Sequence, residues 1–194
     1  MKNFKTVFNL ANLIIAFIII GTTSCGNNNS KDTKDVAEDH NDAKFDKNSN
    51  EKDAQFLVNA AEISMEEISL GQLAQQKGST NHVKELGKMM EESHTKSLAE
   101  LAALAQTKNI SLPTSETEDV KDAYKKLNGK SGNDFGKEYS SMMVKGHEKA
   151  IELFEKASTD CSDPDIRAWA VATLPTLRTH LDQAMVCQKQ CEKM

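Results

Sequence analysis

An all-α fold, a four-helix bundle with a long connector between its second and third helices, is predicted by three features of the chain. Of its 194 residues 27% are charged, only 5% are aromatic and three are proline, a composition poor in strand formers and in helix breakers. From about residue 52 onward, apolar residues recur at steps of three and four, the spacing of a helical stripe that faces a core. One short turn, one long irregular stretch and one Ser-Asp-Pro turn separate four such stripes, which reads as two helical hairpins joined by a connector.

The first expected helix covers Lys52 to Lys77. Its seam, Phe56, Ala60, Ile63, Glu67, Leu70 and Ala74, keeps the 4-3-4-3-4 step without a break. Asp53 suits the positive end of the helix dipole, and Gly78 is a fitting stop. The second helix, Thr80 to Lys108, carries Val83, Gly87, Met90, His94, Ser97, Leu101 and Leu104 on its seam. Only an antiparallel neighbour fits the turn Gly78-Ser79-Thr80. Pro113 and a Ser/Thr cluster end that helix. The connector, 109–133, has room for a short helix from Glu118 to Leu127, and it is long enough to cross the bundle or to fold back beside one end.

The third helix is expected from Asp134 to Ser158 and the fourth from Pro164 to Lys193. Asp163 serves as N-cap, with proline at the first helical position. Pro175 removes one backbone hydrogen bond inside the fourth helix and predicts a kink near Val171–Leu174.

The residues before the bundle read differently. Lys2 and Lys5 precede an apolar run, Leu13 to Ile20, which ends in Gly-Thr-Thr-Ser-Cys. A basic start, a short apolar core and small residues make residues 1–24 a secretory signal, and the run is short for a span of about 20 residues. Cys25 then stands where a bacterial lipoprotein is acylated, although Thr22 replaces the usual leucine three places earlier. Residues 25–51 are expected to be the lipidated cysteine and a disordered polar tether, rich in Asn, Asp, Ser and Lys, with the bundle occupying 52–194. The expected location is therefore the cell envelope, with a lipid anchor in a bacterial membrane. Residues 1–24 carry two lysines and no acid, which leaves 22 basic against 29 acidic residues, net −7. Such a surface does not neutralise phosphates, so nucleic acid is not an expected partner. Neither a nucleophile–base pair nor a phosphate-binding glycine loop stands out, so the expected role is binding rather than catalysis.

Chemistry concentrates at mid-bundle. Glu67, His94, His147 and His180 each fall on a seam, one per helix. Counted at about 1.5 Å per residue, each lies roughly 18–22 Å from a helix end. The four side chains are thus expected at one level, whichever way the connector runs. Glu91 precedes His94 by three residues, the Glu-x-x-His step of di-iron bundle sites, but Val144 and Leu177 occupy the equivalent places before His147 and His180. With carboxylates so few, Glu67, Glu91, His94, His147 and His180 suit one divalent ion, Zn²⁺, Cu²⁺ or Fe²⁺, better than a di-iron centre. The rival reading is an inert structural or partner-docking bundle whose polar layer only fixes helix pairing; an oxidase-like enzyme ranks third. His82 and His40 are expected at the surface. Cys161 is too far from Cys187 and Cys191 for a bridge, and two readings stand for the cysteines: intermolecular pairing, or a terminal metal patch of Met185, Cys187, Cys191 and Met194.

Several segments also carry a resemblance: Asp53-Ala54-Gln55-Phe56-Leu57, Glu67 with Leu70-Gly71-Gln72-Leu73-Ala74, Val83-Lys84, and Met89-Met90 with His94-Thr95. Phe135, Tyr139, Gly146-His147-Glu148, Asp163-Pro164, Leu174-Pro175 and His180-Leu181 continue it. From residue 53 to the end the chain resembles the family called domain of unknown function 4142. The resemblance implies a ferritin-like helical bundle, export to the bacterial envelope with the outer membrane as destination, and His94, His147 and His180 as a matching set. It implies no activity. Two positions depart from the family pattern, Ser93 and Gly136, each standing where the family usually has an acid.

Overall fold

A computed structural model of the chain describes residues 31–45 and 49–194; the expected signal segment and Cys25 lie outside the described residues. Lys31–Met194 forms one compact unit. The described residues are all-helical, with six helices rather than four: α1 Thr33–Lys44, α2 Ser49–Lys77, α3 Asn81–Thr107, α4 Glu118–Asn128, α5 Gly132–Asp160 and α6 Pro164–Glu192. The four long ones, α2, α3, α5 and α6, fall where the seam residues place them. No helix among the described residues is long and apolar enough to cross a membrane.

Two apolar clusters divide the long helices between them. Phe56, Leu57 and Ala61 of α2 meet Leu101 of α3, Phe154 of α5, and Ile166 and Ala170 of α6 in one cluster. The other gathers Leu70 and Leu73 of α2, Val83 and Met90 of α3, Phe135, Tyr139 and Met143 of α5, and Ala184, Cys187 and Cys191 of α6. The start of α2 therefore shares an end with the finish of α3, the finish of α5 and the start of α6. The connector has to cross the full length of the unit, which resolves what residue spacing left open. Its helix α4 packs on α2 and α5 on the way. α2 lies along α3 and α5 along α6, while α2 meets α5 and α3 meets α6, so each of these neighbouring pairs is antiparallel.

Between the clusters the seam turns polar, with Glu67, His94, His147 and His180 all buried. One close approach fixes the register beside this layer. A Cβ built on Gly87 would lie 2.6 Å from the Gly71 carbonyl oxygen, and one on Gly71 would lie 2.6 Å from that of Gly87. α2 and α3 thus touch backbone to backbone, one turn beyond Glu67 and two turns before His94.

The expected disorder of the tether is overturned at Thr33–Lys44. α1 buries only Ala37 and Asn41, so its order rests on polar contacts that an apolar pattern does not reveal. Asn41 Nδ2 donates to the Ser111 carbonyl at 2.9 Å, and its Oδ1 accepts from Ser111 N–H at 2.7 Å. Asp32 caps two helices at once, accepting from Lys34 N–H at 2.7 Å and Glu118 N–H at 2.5 Å. Lys34 reaches Glu62 of α2 at 2.5 Å. α1 thereby ties the connector down onto α2.

The start of α6 is capped as expected. Asp163 accepts from Asp165 N–H at 2.8 Å and Ile166 N–H at 3.2 Å at the start of α6. Asp53, expected at the positive end of the dipole, lies past the first turn because α2 begins at Ser49, where Glu51 is the acid of that turn. The buried Asp53 carboxylate accepts from Ser162 N–H at 2.9 Å and Asp163 N–H at 2.7 Å, which fastens the α5–α6 turn to α2. α6 continues through Pro175. The carbonyl that proline leaves without a helical partner belongs to Val171, which is 55% exposed and so can be solvated.

Candidate metal centre

His94 of α3, His147 of α5 and His180 of α6 face one another across the layer between the two apolar clusters. Each offers a ring nitrogen, and the three nitrogens all lie within 4.8 Å of one another. Ring centroids are 5.6 Å apart for His94–His147 and 5.3 Å for both His94–His180 and His147–His180. The closest pair is His147 Nε2 and His180 Nδ1, at 3.3 Å. Two imidazole nitrogens on a tetrahedral ion, each about 2.0–2.1 Å from it, stand about 3.3 Å apart. That edge of a site is already at coordination spacing.

The second ring nitrogen of His147 has its own partners. Nδ1 lies 2.8 Å from the Met143 carbonyl one turn back, which makes it the N–H donor and leaves Nε2 with the lone pair. Glu67 Oε1 lies 3.5 Å from the same Nδ1. Glu67 therefore stands behind His147, on the side away from the three converging nitrogens, as outer carboxylates stand behind metal-bound histidines. Glu91 goes elsewhere: its carboxylate accepts from Gln72 Nε2 at 2.8 Å and Gln75 Nε2 at 2.6 Å across the α2–α3 groove. Those bonds, Gln75 first, hold its pKa below the ordinary carboxylate value. The structure thus brings three of the five expected residues together, sets Glu67 one bond further out and leaves Glu91 outside.

Four buried polar atoms around the layer have no hydrogen-bond partner within the described residues of the protein. Neither ring nitrogen of His94 has a hydrogen-bond partner, although both are buried; Glu67 Oε2 and the Tyr139 hydroxyl share that state. A buried polar group without a partner costs about 1–3 kcal/mol, so four such atoms around one layer call for an explanation. Burial, helped by the neighbouring His147 and His180, pushes the His94 pKa well below its ordinary 6.5. Burial also lowers His147, against the pull of the Met143 carbonyl, and takes His180 down to about 4. All three are neutral at pH 7, the form that ligates a metal. Burial raises Glu67 well above 4.5, with the nearby Glu66 adding to it. Burial, then the charges of Glu67 and Cys187, raises Tyr139 as well. Sequence reasoning did not single out Tyr139 as a site residue; a seam phenol with no polar partner nearby in sequence was the available signal.

Two openings lead to the layer. His180 borders a groove of about 520 Å³ lined by Glu85, Lys88, Met89, Glu92 and Ser93. On another face Glu67 borders a pocket of about 280 Å³ with Ile63, Met142, Gly146 and Lys149 among its walls. Gly146 gives Glu67 its place, since a Cβ there would sit 3.0 Å from Oε1.

These shifts set a pH dependence for the metal-free protein. The histidines bind protons more weakly folded than unfolded, so their contribution to stability is complete above about 6.5 and falls as pH drops toward the folded values, about 4 for His180. Glu67 has the opposite sign: its contribution is complete below about 4.5 and is lost as pH rises. Three groups outweigh two between about pH 6.5 and 5, since burial raises Glu66 as well as Glu67. The urea midpoint is expected to fall over that interval, and to fall more steeply in Glu67→Gln, which removes the more strongly shifted of the opposing pair. A slope that is unchanged or shallower in Glu67→Gln would contradict this assignment.

No curated protein and no solved structure matches the chain. The family described as "Domain of unknown function (DUF4142)" matches residues 38–186, from within α1 to near the end of α6 and 149 of the 194 residues, and the chain belongs to that family.

Proposed function

We propose that this protein is a lipid-anchored component of the bacterial cell envelope whose ferritin-like four-helix core binds one divalent metal ion at His94, His147 and His180. The observation that carries the metal reading is His94: a buried imidazole with both nitrogens unpartnered, turned toward two other neutral imidazoles. An ion among the three would take the proton-free nitrogen of each, and Glu67 would polarise His147 from behind. Three nitrogen donors suit Zn²⁺, Cu²⁺ or Fe²⁺ and leave a fourth position open toward the His180 groove. Glu67 is the only carboxylate at the layer among the described residues, which argues for binding over iron oxidation. The test is metal analysis of tag-free protein after exposure to each ion. One ion fewer per chain in His147→Ala than in wild type supports the reading; no retained metal in either, or equal metal in both, refutes it.

The structural alternative draws on the His147–His180 contact, which already links α5 to α6, and on the Met143 bond, which fixes the His147 ring within α5. Under that reading Glu67→Leu with His94→Met would remove unpaired polar atoms and leave a folded protein at least as stable, with no change of function in the cell.

The anchor is proposed from Cys25 and its surroundings. Stable anchoring takes more than one acyl chain, at about 0.8 kcal/mol per buried CH₂, and lipoprotein processing supplies them. Cys25→Ser is expected to move the protein from the membrane to the soluble fraction or to leave the precursor uncut, with helix content unchanged. Mass spectrometry of the mature N-terminus decides it: an unmodified first residue other than Cys25 would sink the lipid anchor.

A further inference from the structure

The end of the unit that holds the α2–α3 turn carries a second cluster, of different chemistry. Cys187 and Cys191 stand one turn apart on α6 and are buried, facing the start of α3. There His82, expected at the surface, is half-buried against them. Cys191 Sγ lies 3.5 Å from His82 Nε2, and Cys187 Sγ lies 3.9 Å from the His82 carbonyl oxygen. The two sulfurs and a ring nitrogen all fall within 4.8 Å of one another. Met185 and Met194 stay exposed, so the grouping is two thiols and an imidazole.

The surroundings leave room for these atoms and a route to them. Gly136 of α5 faces Cys191, and a Cβ there would stand 3.1 Å from its Sγ, tighter than ordinary contact. His82 and Cys187 also line a pocket of about 250 Å³ with Glu85, Met89, Gln183 and Gln190. A buried cysteine is often only a small apolar filler. Here two of them share a face with an imidazole nitrogen at the wall of a pocket. A disulfide between neighbours on one regular helical turn is strained, and both thiols are free.

We propose that His82, Cys187 and Cys191 form a second site, for a thiophilic d¹⁰ ion, Zn²⁺ or Cu⁺, whose remaining ligand comes from the pocket. Two sulfurs and one nitrogen are a soft donor set, unlike the three imidazoles at mid-bundle. On binding, two S–H bonds break, two metal–sulfur bonds form and two protons leave to solvent. No electron is transferred.

The test uses the full chain in detergent, with Cys25→Ser removing the one thiol outside the described residues, kept reduced and titrated with Co²⁺ as a spectroscopic probe of the Zn²⁺ geometry. A thiolate-to-cobalt absorption band is expected, saturating at one equivalent in His94→Ala, where the three-imidazole site is silenced. Cys187→Ser and Cys191→Ser should each weaken the band, the double variant should lose it, and His94→Ala should keep it. His82→Ala, a change at a half-exposed position that keeps the fold, should move the midpoint to at least about tenfold higher cobalt. Zn²⁺ and Cu⁺ should each bleach the band by displacement. Absence of the band, its persistence without both thiols, or a midpoint unmoved in His82→Ala would overturn the proposal. So would a Cys187–Cys191 disulfide found in protein isolated without reductant.

Discussion

Gly87→Ala is expected to lower stability by about 2 kcal/mol, although alanine is the better helix former by about 1 kcal/mol. The new methyl would meet the Gly71 carbonyl oxygen at 2.6 Å and the Ala74 Cβ at 2.8 Å. The first obstacle is backbone and cannot turn aside, so α2 and α3 must separate, and overpacking of that kind costs about 1–3 kcal/mol or more. For a domain of this size that is a Tm about 4–8 °C lower, and more in Gly87→Val. Gly129→Ala is the control. Its Cβ would meet only ordinary contacts at 3.5 and 3.6 Å, at a φ of −70°, so no loss is expected there. Because the Gly71–Gly87 contact sits beside the polar layer, Gly87→Ala should also weaken metal binding at His94. A Gly87→Ala protein as stable as wild type would show that the two helices do not meet this closely.

The other large effect is on metal affinity, and it is ordered. In a Cys187→Ser/Cys191→Ser background, which silences the thiol site, His94→Ala or His180→Ala is expected to weaken Zn²⁺ binding at least about 100-fold, since each removes a donor. Glu67→Gln should weaken it only about tenfold, the scale for losing the partner that orients a ligating histidine. Glu91→Gln should do nothing, because that carboxylate is held by Gln72 and Gln75. The ranking matters more than any one value. If Glu91→Gln cost as much as His94→Ala, the ion would sit between α2 and α3, away from the layer described here.

How much of this was legible beforehand depends on what holds each part in place. Glu67, His94, His147 and His180 came to one level by helix rise alone, because seam spacing fixes both face and depth. Topology stayed open for the same reason: mid-height is mid-height from either end. Only the meeting of Val83, Phe135 and Cys191 at one end requires the connector to cross. α1 was illegible because Asn41 and Asp32 hold it through hydrogen bonds to residues 70 and 86 positions away. Glu91 carried the right step from His94, but spacing cannot see that Gln72 and Gln75 of the neighbouring helix claim it. His82 was read from its place beside a turn, whereas the end of α6, 105 residues on, covers it.

The most direct measurement is X-ray absorption on the Cys187→Ser/Cys191→Ser protein loaded with Zn²⁺ and then desalted. One ion per chain with imidazole scattering from three nitrogens at about 2.0–2.1 Å, reduced by one imidazole in His94→Gln, is the expected result. A chain that emerges without zinc, or zinc ringed only by oxygen scatterers and unaltered in His94→Gln, would contradict the metal centre.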